Sequence, residues 1–411
     1  MKYVILLGDG MADYPLRELG GKTPLAFART PYMDYIASEG TLGLVDTIPP
    51  GFPPGSDIAN LSILGYDPRK YYTGRGPLEA ASMGVQLGPD DVAFRCNLVT
   101  IGVGENPAME DFTSGHITSP EARQIIDDLH REISTAEFQF YPGVSYRHLL
   151  VWRHGKEFLK TTPPHDITGK LVKDYLPQGD GALEINNLME RCQGILLDHP
   201  VNRLRLSEGK KPATSVWLWG QGRAPRIVQL TKKYHLTGGI ISAVDLLRGI
   251  GALAGLKAIH VEGATGYTDT NYAGKAEKAL EALEELDFVF VHVEAPDEMG
   301  HEGNIEGKIQ AIEDFDEKIV GTVLKGLDSL CPFRVMVLSD HLTPISLMTH
   351  SPEPPPFAVL ASVAGENRRS ALAFSETSAE DTGILFSPGY LLMEAFIKYW
   401  RGRGLIEEKS R

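Results

Sequence analysis

Three short apolar runs of the sequence are each followed by acidic residues or histidines. The runs are residues 3–7, 288–293 and 335–338. The residues that follow them are Asp9, Asp297, His301, Asp340 and His341. Because ligands bind at the carboxyl ends of strands in parallel sheets, we expect these distant segments to converge on one crevice.

The spacing of these side chains is typical of metal ligands. Asp297 and His301 are four residues apart, so one face of a helical turn presents both to a single cation. Asp340 and His341 are adjacent, and His350 follows within ten residues. Mixed carboxylate and imidazole ligands without thiolates suit Mn²⁺, Zn²⁺, Co²⁺ or Mg²⁺, and we expect two such divalent ions. Two ions a few Å apart neutralise a phosphate. The alternative for each motif alone is a turn or a solvated surface helix.

Ser56 is the candidate nucleophile. It lies in PPGSDIANLSILGYDP, where Pro and Gly end one element and an apolar-periodic helix begins. The N–H groups and dipole at a helix N-terminus favour an anion such as a seryl phosphate. Serine needs a base or a metal to become nucleophilic, which the predicted ions supply. The alternative is that Ser56 is an ordinary helix cap.

The middle of the chain carries cationic and hydrogen-bonding groups that suit a carboxylate or phosphate. The candidates are His116, Arg147, His148, His165, Asp166, Asn202 and Arg223. Ordinary surface charge is the alternative for each of them. Together they predict a substrate-binding segment.

These residues require an α/β fold to position them. Apolar runs that end in Gly, Asp or His and are followed by amphipathic segments indicate strand-loop-helix units around a mostly parallel sheet. Helices are predicted at 119–133, 242–253, 272–286 and 305–327. We predict that residues 1–110 and 215–411 form the metal-binding domain, whose sheet resumes near 215–218. Residues 111–214 then form an inserted, smaller α+β domain that binds substrate or acts as a lid.

Composition excludes several classes of partner. The chain has 411 residues, 42% of them hydrophobic, and a formal net charge of -14. Such a charge argues against nucleic acid or an anionic membrane as the main partner. Cys96, Cys192 and Cys331 are far apart, so we expect buried thiols in a reducing cytoplasm. Residues 3–7 are too short for a signal-peptide core or a membrane span. The composition does not predict an oligomeric state.

Over nearly its whole length the sequence resembles the archaeal-type, 2,3-bisphosphoglycerate-independent phosphoglycerate mutases. The motifs are GDGMAD, PPGSDIANLSILGYDP, GRGPLEAASMG, DDVAFRCNL, VEGATG, HVEAPDEMGHEGN, SDHLTP and THSPEPPPF. The resemblance implies an alkaline-phosphatase-like fold and two metal sites. One site would comprise Asp297, His301 and His350, and the other Asp9, Ser56, Asp340 and His341.

The same resemblance implies a reaction. Ser56 would take the phosphoryl group of 3-phosphoglycerate and return it to the 2-hydroxyl of the bound glycerate. The inserted domain would close over the site and keep water out, since water would hydrolyse the phosphoserine. A small phosphorylated hydroxy acid is the expected substrate.

Segments of the insert resemble a subgroup of the same family that is proposed to act as homoserine kinases. These are SGHITSPEA, YPGVSYRHLL, TTPPHDI and WLWGQGR, and the archaeal mutases are expected to carry Arg in place of His116. An ATP-dependent homoserine kinase is therefore the alternative, although the sequence has no P-loop and no Gly-rich kinase loop. A phosphomonoesterase ranks third. A metal-binding regulatory module without catalysis is the alternative from another class of protein.

Overall fold

The computed structural model describes residues 1–330 and 332–400. The chain divides into two compact units. The first comprises Met1–Tyr72 and the described part of Ile227–Arg411, and the second is Thr73–Arg226. The first unit is therefore assembled from two separate parts of the sequence.

An eight-stranded sheet forms the centre of the first unit. Its strands are β1 (Lys2–Gly8), β2 (Thr41–Val45), β10 (Gly238–Ile241), β11 (Lys257–Ala258), β12 (Phe288–Val293), β13 (Phe333–Leu338), β14 (Pro356–Ala361) and β15 (Leu385–Phe386). Their order is β11-β10-β12-β1-β13-β14-β2-β15. Only β14 runs against the others, because it pairs antiparallel with both β13 and β2. The predicted α/β class with a mostly parallel sheet is confirmed.

The three strands predicted from apolar runs lie side by side. β1 pairs in parallel with β12 on one side and with β13 on the other. All residues of β12 and β13 are buried, as are those of β1 beyond Lys2. Continuous apolar runs of this kind are typical of parallel strands whose two faces are both covered by helices. The carboxyl ends of all three strands consequently meet at one edge of the sheet.

Helices cover this sheet. They are α1 (Pro24–Phe27), α2 (Pro31–Glu39), α3 (Ser56–Ile63), α4 (Pro68–Tyr71), α9 (Leu230–Tyr234), α10 (Asp245–Leu253), α11 (Tyr272–Glu285), α12 (Ala295–His301), α13 (Ile305–Asp314), α14 (Gly321–Leu327), α15 (Glu376–Asp381) and α16 (Leu391–Glu394). The helix predicted at 305–327 is interrupted, because Phe315–Val320 adopts π-helical geometry between α13 and α14. Short 3-10 turns lie at Arg17–Leu19 and Asp328–Leu330, and Ala395–Tyr399 is also π-helical.

The second unit has its own sheet. Its strands are β3 (Val92–Ile101), β4 (Met109–Asp111), β5 (Phe138–Val144), β6 (Arg147–Trp152) and β9 (Ser215–Arg223), and β7 (Leu159–Lys160) pairs separately with β8 (Gln178–Gly179). Its helices are α5 (Arg75–Ser82), α6 (Ser119–Ile133), α7 (Ala182–Leu196) and α8 (Pro200–Ser207), with 3-10 turns at Pro164–Ile167 and Val172–Tyr175. The bounds of α6 are those that the sequence predicted.

The second unit is wider than the predicted insert at 111–214. β3 pairs with both β6 and β9, so residues 92–101 and 215–223 belong to this sheet. The sequence predicted that the first sheet resumes near 215–218. These residues instead belong to the sheet of the second unit. The apolar pattern of a buried strand does not show which distant strand it pairs with. The sequence therefore could not assign residues 215–218 to the second sheet.

Two further predictions concerned the cysteines and membrane-spanning segments. Cys96 and Cys192 are free and buried, as predicted, whereas Cys331 lies outside the described residues. Within residues 1–330 and 332–400, no helix has the length and apolarity to cross a bilayer.

Candidate metal centre

Asp9 and Asp340 lie at the same edge of the first sheet. Asp9 follows β1 and Asp340 follows β13, and these strands are in register up to the pair Leu7 and Leu338. The backbone N–H of Gly10 donates to Asp340 Oδ1 at 3.1 Å. Ligand atoms of Asp9, Asp340 and His341 all lie within 4.8 Å of one another, and all three residues are buried. The sequence motifs at two strand ends thus form one cluster.

A second cluster contains Asp297, His301 and His350. α12 presents Asp297 and His301 on one face, with Oδ2 and Nε2 separated by 3.2 Å. His350 Nε2 lies 3.4 Å from Asp297 Oδ1 and 3.0 Å from His301 Nε2. These ligand atoms also lie within 4.8 Å of one another. The turn before His350 brings it to a helix that is far away in sequence.

The tautomer that His301 adopts when neutral suits a metal ligand. Its Nδ1 lies 3.1 Å from the carbonyl oxygen of Met348, which only accepts hydrogen bonds. Nδ1 therefore carries the proton in the neutral ring, and the lone pair is on Nε2, which faces Asp297 and His350. The hydrogen bond to Asp297 raises the pKa of His301 to about 9, so a proton competes for this position.

Burial makes the first cluster an unfavourable place for acids without a cation. Asp9 is fully buried, and its Oδ1 has no hydrogen-bond partner among the described residues. Burial, and then the charge of Asp340, raise the pKa of Asp9 well above its ordinary value. His341 Nε2 lies 3.4 Å from both Asp9 Oδ1 and Asp340 Oδ2. Oxygen and nitrogen lone pairs that converge in this way fit a divalent cation.

Ser56 is the first residue of α3, and its hydroxyl points to this cluster. The N-cap is Gly55, and Ser56 is half-buried. Ser56 Oγ lies 3.1 Å from His341 Nε2. In the first turn of α3 the N–H of Ile58 donates to Asp57 Oδ1 at 3.0 Å, and the helix dipole favours an anion at this end.

A hydrogen-bond chain assigns the tautomer of His341. The hydroxyl of Thr343 donates to Asp297 Oδ1, and the same oxygen lies 3.2 Å from His341 Nδ1. Since Thr343 uses its proton on Asp297, His341 Nδ1 must donate to Thr343, which leaves the lone pair on Nε2. Burial lowers the pKa of His341, so the ring is neutral at pH 7. Its Nε2 can therefore accept the Ser56 proton or bind an ion.

Sequence reasoning missed three residues of this site. His292, within β12, lies with Nε2 2.8 Å from Asp9 Oδ2, and Glu294 Oε2 lies 3.4 Å from the same Nε2. Asp9, His292 and Glu294 form a third group whose ligand atoms lie within 4.8 Å of one another. Asn60 donates from Nδ2 to Asp340 Oδ2 at 3.0 Å and to the Ser56 carbonyl at 2.9 Å. Two features of the sequence could have indicated them. His292 is a histidine inside an apolar run, and Asn60 lies one helical turn after Ser56.

A buried ion pair connects the loops that carry the ligands. Lys308 on α13 is fully buried, and its Nζ lies 2.6 Å from Asp13 Oδ2. It also donates to the carbonyl oxygens of Thr343 and Ala12, at 2.8 and 3.3 Å. Asp13 in turn accepts from the backbone N–H of Ile345. Lys308 thereby ties the loop after β1 to the loop after β13.

Three of the substrate-binding candidates in the second unit are engaged within the protein. His148 is buried and accepts from the Gly143 N–H at Nδ1, and burial lowers its pKa to about 3. Asn202 is buried, and its amide bonds the backbone at Leu196 and Ala213. Arg223 pairs with Asp90 and Glu157, at 3.1 and 3.2 Å. These contacts give no support to a ligand-binding role for the three residues.

The other four candidates reach the surface. His116 is exposed, in a turn with φ of 49° before α6. Arg147 is exposed at the start of β6, and His165 and Asp166 are exposed in a 3-10 turn. Of these, His165 packs edge-on against Trp219, with 5.5 Å between the ring centroids. Their roles stay predictions.

Comparison with known proteins finds similarity along most of the chain. The family described as 2,3-bisphosphoglycerate-independent phosphoglycerate mutase matches residues 37–202. The enzyme of that name from Methanosarcina barkeri is 56% identical, covering 92% of this chain and 95% of its own. The one from Methanothrix thermoacetophila is 53% identical, covering 97% and 100%.

Two solved structures are also similar to this chain over most of its length. A protein of Pyrococcus horikoshii has 30% identity and a TM-score of 0.82, over 96% of this chain and 97% of its own. A cofactor-independent phosphoglycerate mutase from Thermoplasma acidophilum has 27% identity and a TM-score of 0.66, over 97% and 99%.

Proposed function

Because the chain belongs to the 2,3-bisphosphoglycerate-independent phosphoglycerate mutase family, we propose that it interconverts 3-phosphoglycerate and 2-phosphoglycerate through a phosphoserine at Ser56. The substrate is then a small phosphorylated hydroxy acid. We further propose that the centre holds two divalent metal ions, with Mn²⁺, Zn²⁺, Co²⁺ and Mg²⁺ as the candidates.

One observation carries the proposal. Ser56 Oγ lies 3.1 Å from His341 Nε2, at the N-terminus of α3 and beside two clusters of carboxylate and imidazole ligands. A serine in this position has metal ligands beside its hydroxyl and a helix N-terminus beside the phosphate that it receives. Gly55 is the N-cap of α3 and no side chain caps this end, so capping does not explain the position of the Ser56 hydroxyl.

The ligands divide between the proposed ions by proximity. Asp297, His301 and His350 would hold one, and Asp9, Asp340 and His341, with Ser56, the other. When bound, the ions would supply positive charge that stabilises the transferring phosphoryl group and the attacking and leaving oxygens. His292 and Asn60 would orient Asp9 and Asp340, through the hydrogen bonds at 2.8 and 3.0 Å.

The reaction needs no external phosphoryl donor. In the first transfer, Ser56 Oγ bonds to phosphorus, the bond from phosphorus to the 3-oxygen breaks, and the seryl proton ends on that oxygen. In the second, the 2-oxygen of glycerate bonds to phosphorus, the seryl ester breaks, and the 2-hydroxyl proton returns to Ser56.

The direct test follows phosphorus by NMR. Purified protein loaded with Mn²⁺ receives 3-phosphoglycerate, and a parallel sample receives ATP with homoserine. We expect 2-phosphoglycerate without added nucleotide or bisphosphoglycerate. Phosphohomoserine that forms only with ATP, without isomerisation, would overturn the proposal in favour of the kinase. Inorganic phosphate as the sole product would indicate a phosphomonoesterase.

Ser56→Ala tests the nucleophile. The variant should lose isomerisation, because no other hydroxyl replaces Oγ, and should keep its fold and most of its metal content, because Asp9, Asp340 and His341 remain. Thr343→Val is a useful comparison, since it removes the bridge between His341 and Asp297 and leaves Ser56 in place. It should slow transfer without abolishing it. Turnover that persists in Ser56→Ala would remove Ser56 from this role.

A further inference from the structure

A cavity of the first unit lies beside the start of β2 and the end of α15. Its volume is about 310 Å³, at the lower end of the range for small-molecule sites. Its apolar lining, which we call the apolar floor, comprises Leu42, Leu372 and Ile384. Leu42 and Ile384 are buried, whereas Arg368 and Asp381, which also line the cavity, are exposed. The cavity thus combines apolar surface with charged groups that solvent can reach.

The cavity does not belong to the metal centre. None of the described residues that line it is a member of the three clusters of candidate metal ligands. Thr41, next to Leu42, is in register with Val359 of β14, and Val359 is in register with Met336 of β13. Met336 precedes Asp340 by four residues, which is about 13 Å along an extended strand. The cavity is therefore a separate site on the same unit.

The loop that forms one wall of the cavity is held firmly. Four hydrogen bonds join residues 368–371 to residues 37–41, at the end of α2 and the start of β2. They run from the Arg368 N–H to Thr41 Oγ1 at 3.1 Å, from the Arg369 N–H to the Gly40 carbonyl at 2.7 Å, from Ser370 Oγ to the Ala37 carbonyl at 2.8 Å and from the Ala371 N–H to the Ser38 carbonyl at 3.2 Å. Arg369 and Ala371 have φ of 51° and 58°, a left-handed conformation that is unfavourable for residues with a side chain. Because the four bonds offset this strain, the wall takes shape without a ligand.

Opposite charges line the cavity without neutralising each other. Among the residues that the structure describes, the Arg368 guanidinium and the Asp381 carboxylate make no ion pair and no hydrogen bond. Arg369, in contrast, pairs with Glu39 at 3.2 Å. The charges that remain available to a ligand are consequently one positive and one negative.

The two hydroxyl groups of the lining are already engaged. Ser370 Oγ donates to a backbone carbonyl of α2 and accepts from an N–H of its own loop, at 2.8 and 3.1 Å. Thr382 Oγ1 donates to a backbone carbonyl of α15 and accepts from the N–H two residues further on, at 2.7 and 3.1 Å. Charged recognition in the cavity therefore depends on Arg368 and Asp381.

We propose that this cavity binds a small zwitterion with an aliphatic body, of the class of a free aliphatic amino acid. Arg368 holds its carboxylate, Asp381 holds its ammonium group, and the apolar floor covers its hydrocarbon part. A simple anion would be repelled by Asp381 and a simple cation by Arg368, whereas a zwitterion is attracted by both. The proposal is independent of the reaction at the metal centre.

The test measures the binding of L-leucine by calorimetry, with metal-loaded protein. Two analogues keep the hydrocarbon part but lack one charge: isocaproate has no ammonium group, and isopentylamine has no carboxylate. We expect one leucine to bind per chain, more tightly than either analogue. Saturating 3-phosphoglycerate should not displace leucine, because the cavity is separate from the metal centre.

Two variants assign the charged contacts. Arg368→Ala should weaken leucine and isocaproate by roughly 5- to 10-fold, the range for a charged contact at an exposed site, and leave isopentylamine unchanged. Asp381→Asn should weaken leucine and isopentylamine to the same extent without weakening isocaproate. Arg131→Ala is the matched control, because Arg131 is an exposed arginine of the second unit that pairs with Asp128. Unchanged melting temperatures show that the variants are folded.

Three results would overturn the proposal. The first is the absence of saturable leucine binding to the folded wild-type protein at millimolar concentrations. The second is leucine binding that is equal in wild type, Arg368→Ala and Asp381→Asn. The third is displacement of leucine by 3-phosphoglycerate, which would assign the bound leucine to the metal centre.

Discussion

Replacing Lys308 with methionine should destabilise the first unit strongly. The side chains are similar in length, so the change removes the charge and the donors with little change in volume. Lys308 is fully buried, and its Nζ contacts Asp13 and the carbonyl oxygens of Ala12 and Thr343. In Lys308→Met the Asp13 carboxylate stays buried without its cation.

The size of the loss in unfolding free energy depends on the Asp13 carboxylate that remains without a partner. Removal of one partner of a buried ion pair typically costs about 3–5 kcal/mol, because the remaining charge is uncompensated. The backbone N–H groups of Ile345 and Tyr14 still solvate Asp13, which favours the lower part of that range. For a domain of this size, each kcal/mol lowers the melting temperature by roughly 2–4 °C. We therefore expect a decrease of about 6–12 °C.

Urea unfolding followed by circular dichroism measures the change in free energy. Hydrogen exchange at residues 10–14 and 343–345 then shows whether the lost stability is local to the two loops. Lys318→Met is the control, because Lys318 pairs with Asp314 on the surface at 2.9 Å and is 46% exposed. Such exposed pairs contribute less than about 1 kcal/mol.

A double variant separates charge from packing. Asp13→Asn with Lys308→Met leaves no charge at this buried pair, so it should be more stable than Lys308→Met alone. A loss of less than about 1 kcal/mol in Lys308→Met would refute the reasoning, since that is the range of surface pairs. So would a double variant whose loss equals the sum of the two single losses, because it would show that the pair is not coupled.

The other predictions concern the metal centre and pH. His350→Ala should weaken one bound ion and slow isomerisation, because it removes a ligand from the cluster with Asp297; equal metal stoichiometry and rate in the variant would show that His350 is not a ligand. Chelation should lower the melting temperature, and Mn²⁺ should restore it, because the buried acids around Asp9 repel one another without a cation; a melting temperature that ignores both treatments would contradict this. Burial lowers the pKa of His148 to about 3 in the folded protein, against about 6.5 in the unfolded chain, so the stability that it contributes is complete above pH 6.5 and is lost as the pH falls toward 3. Between pH 3 and pH 6.5, the unfolding free energy of His148→Gln should depend less steeply on pH than that of the wild type, by up to about 1.4 kcal/mol per pH unit. Equal slopes in the two proteins would show that His148 does not stay neutral.

Much of the metal centre was predictable because its residues interrupt local patterns. Asp9 and Asp340 end apolar runs, and parallel strands place such residues at one edge of a sheet. Ser56 follows Pro and Gly at the start of an amphipathic segment, and α3 begins at that residue. These inferences needed only the local sequence and the general geometry of a parallel sheet.

What the sequence did not reveal depends on long-range pairing. Residues 215–223 are a buried strand, but only the fold shows that they pair with β3. His292 was concealed because it lies inside an apolar strand, and its partner Asp9 is 283 residues away. Likewise, the sequence predicted that Asn202 binds a ligand, but its amide donates to the backbone carbonyls of Leu196 and Ala213.

The discontinuity of the first unit affects how the protein is made. β1 lies between β12 and β13, so the strand that leaves the ribosome early must wait for both neighbours. Thr73–Arg226 is continuous in sequence, and its strands β3, β6 and β9 are complete once Arg223 has emerged. Domains generally fold as units during synthesis. The intervening unit can therefore fold first, while β1 lacks its two neighbours until Leu338 has been translated.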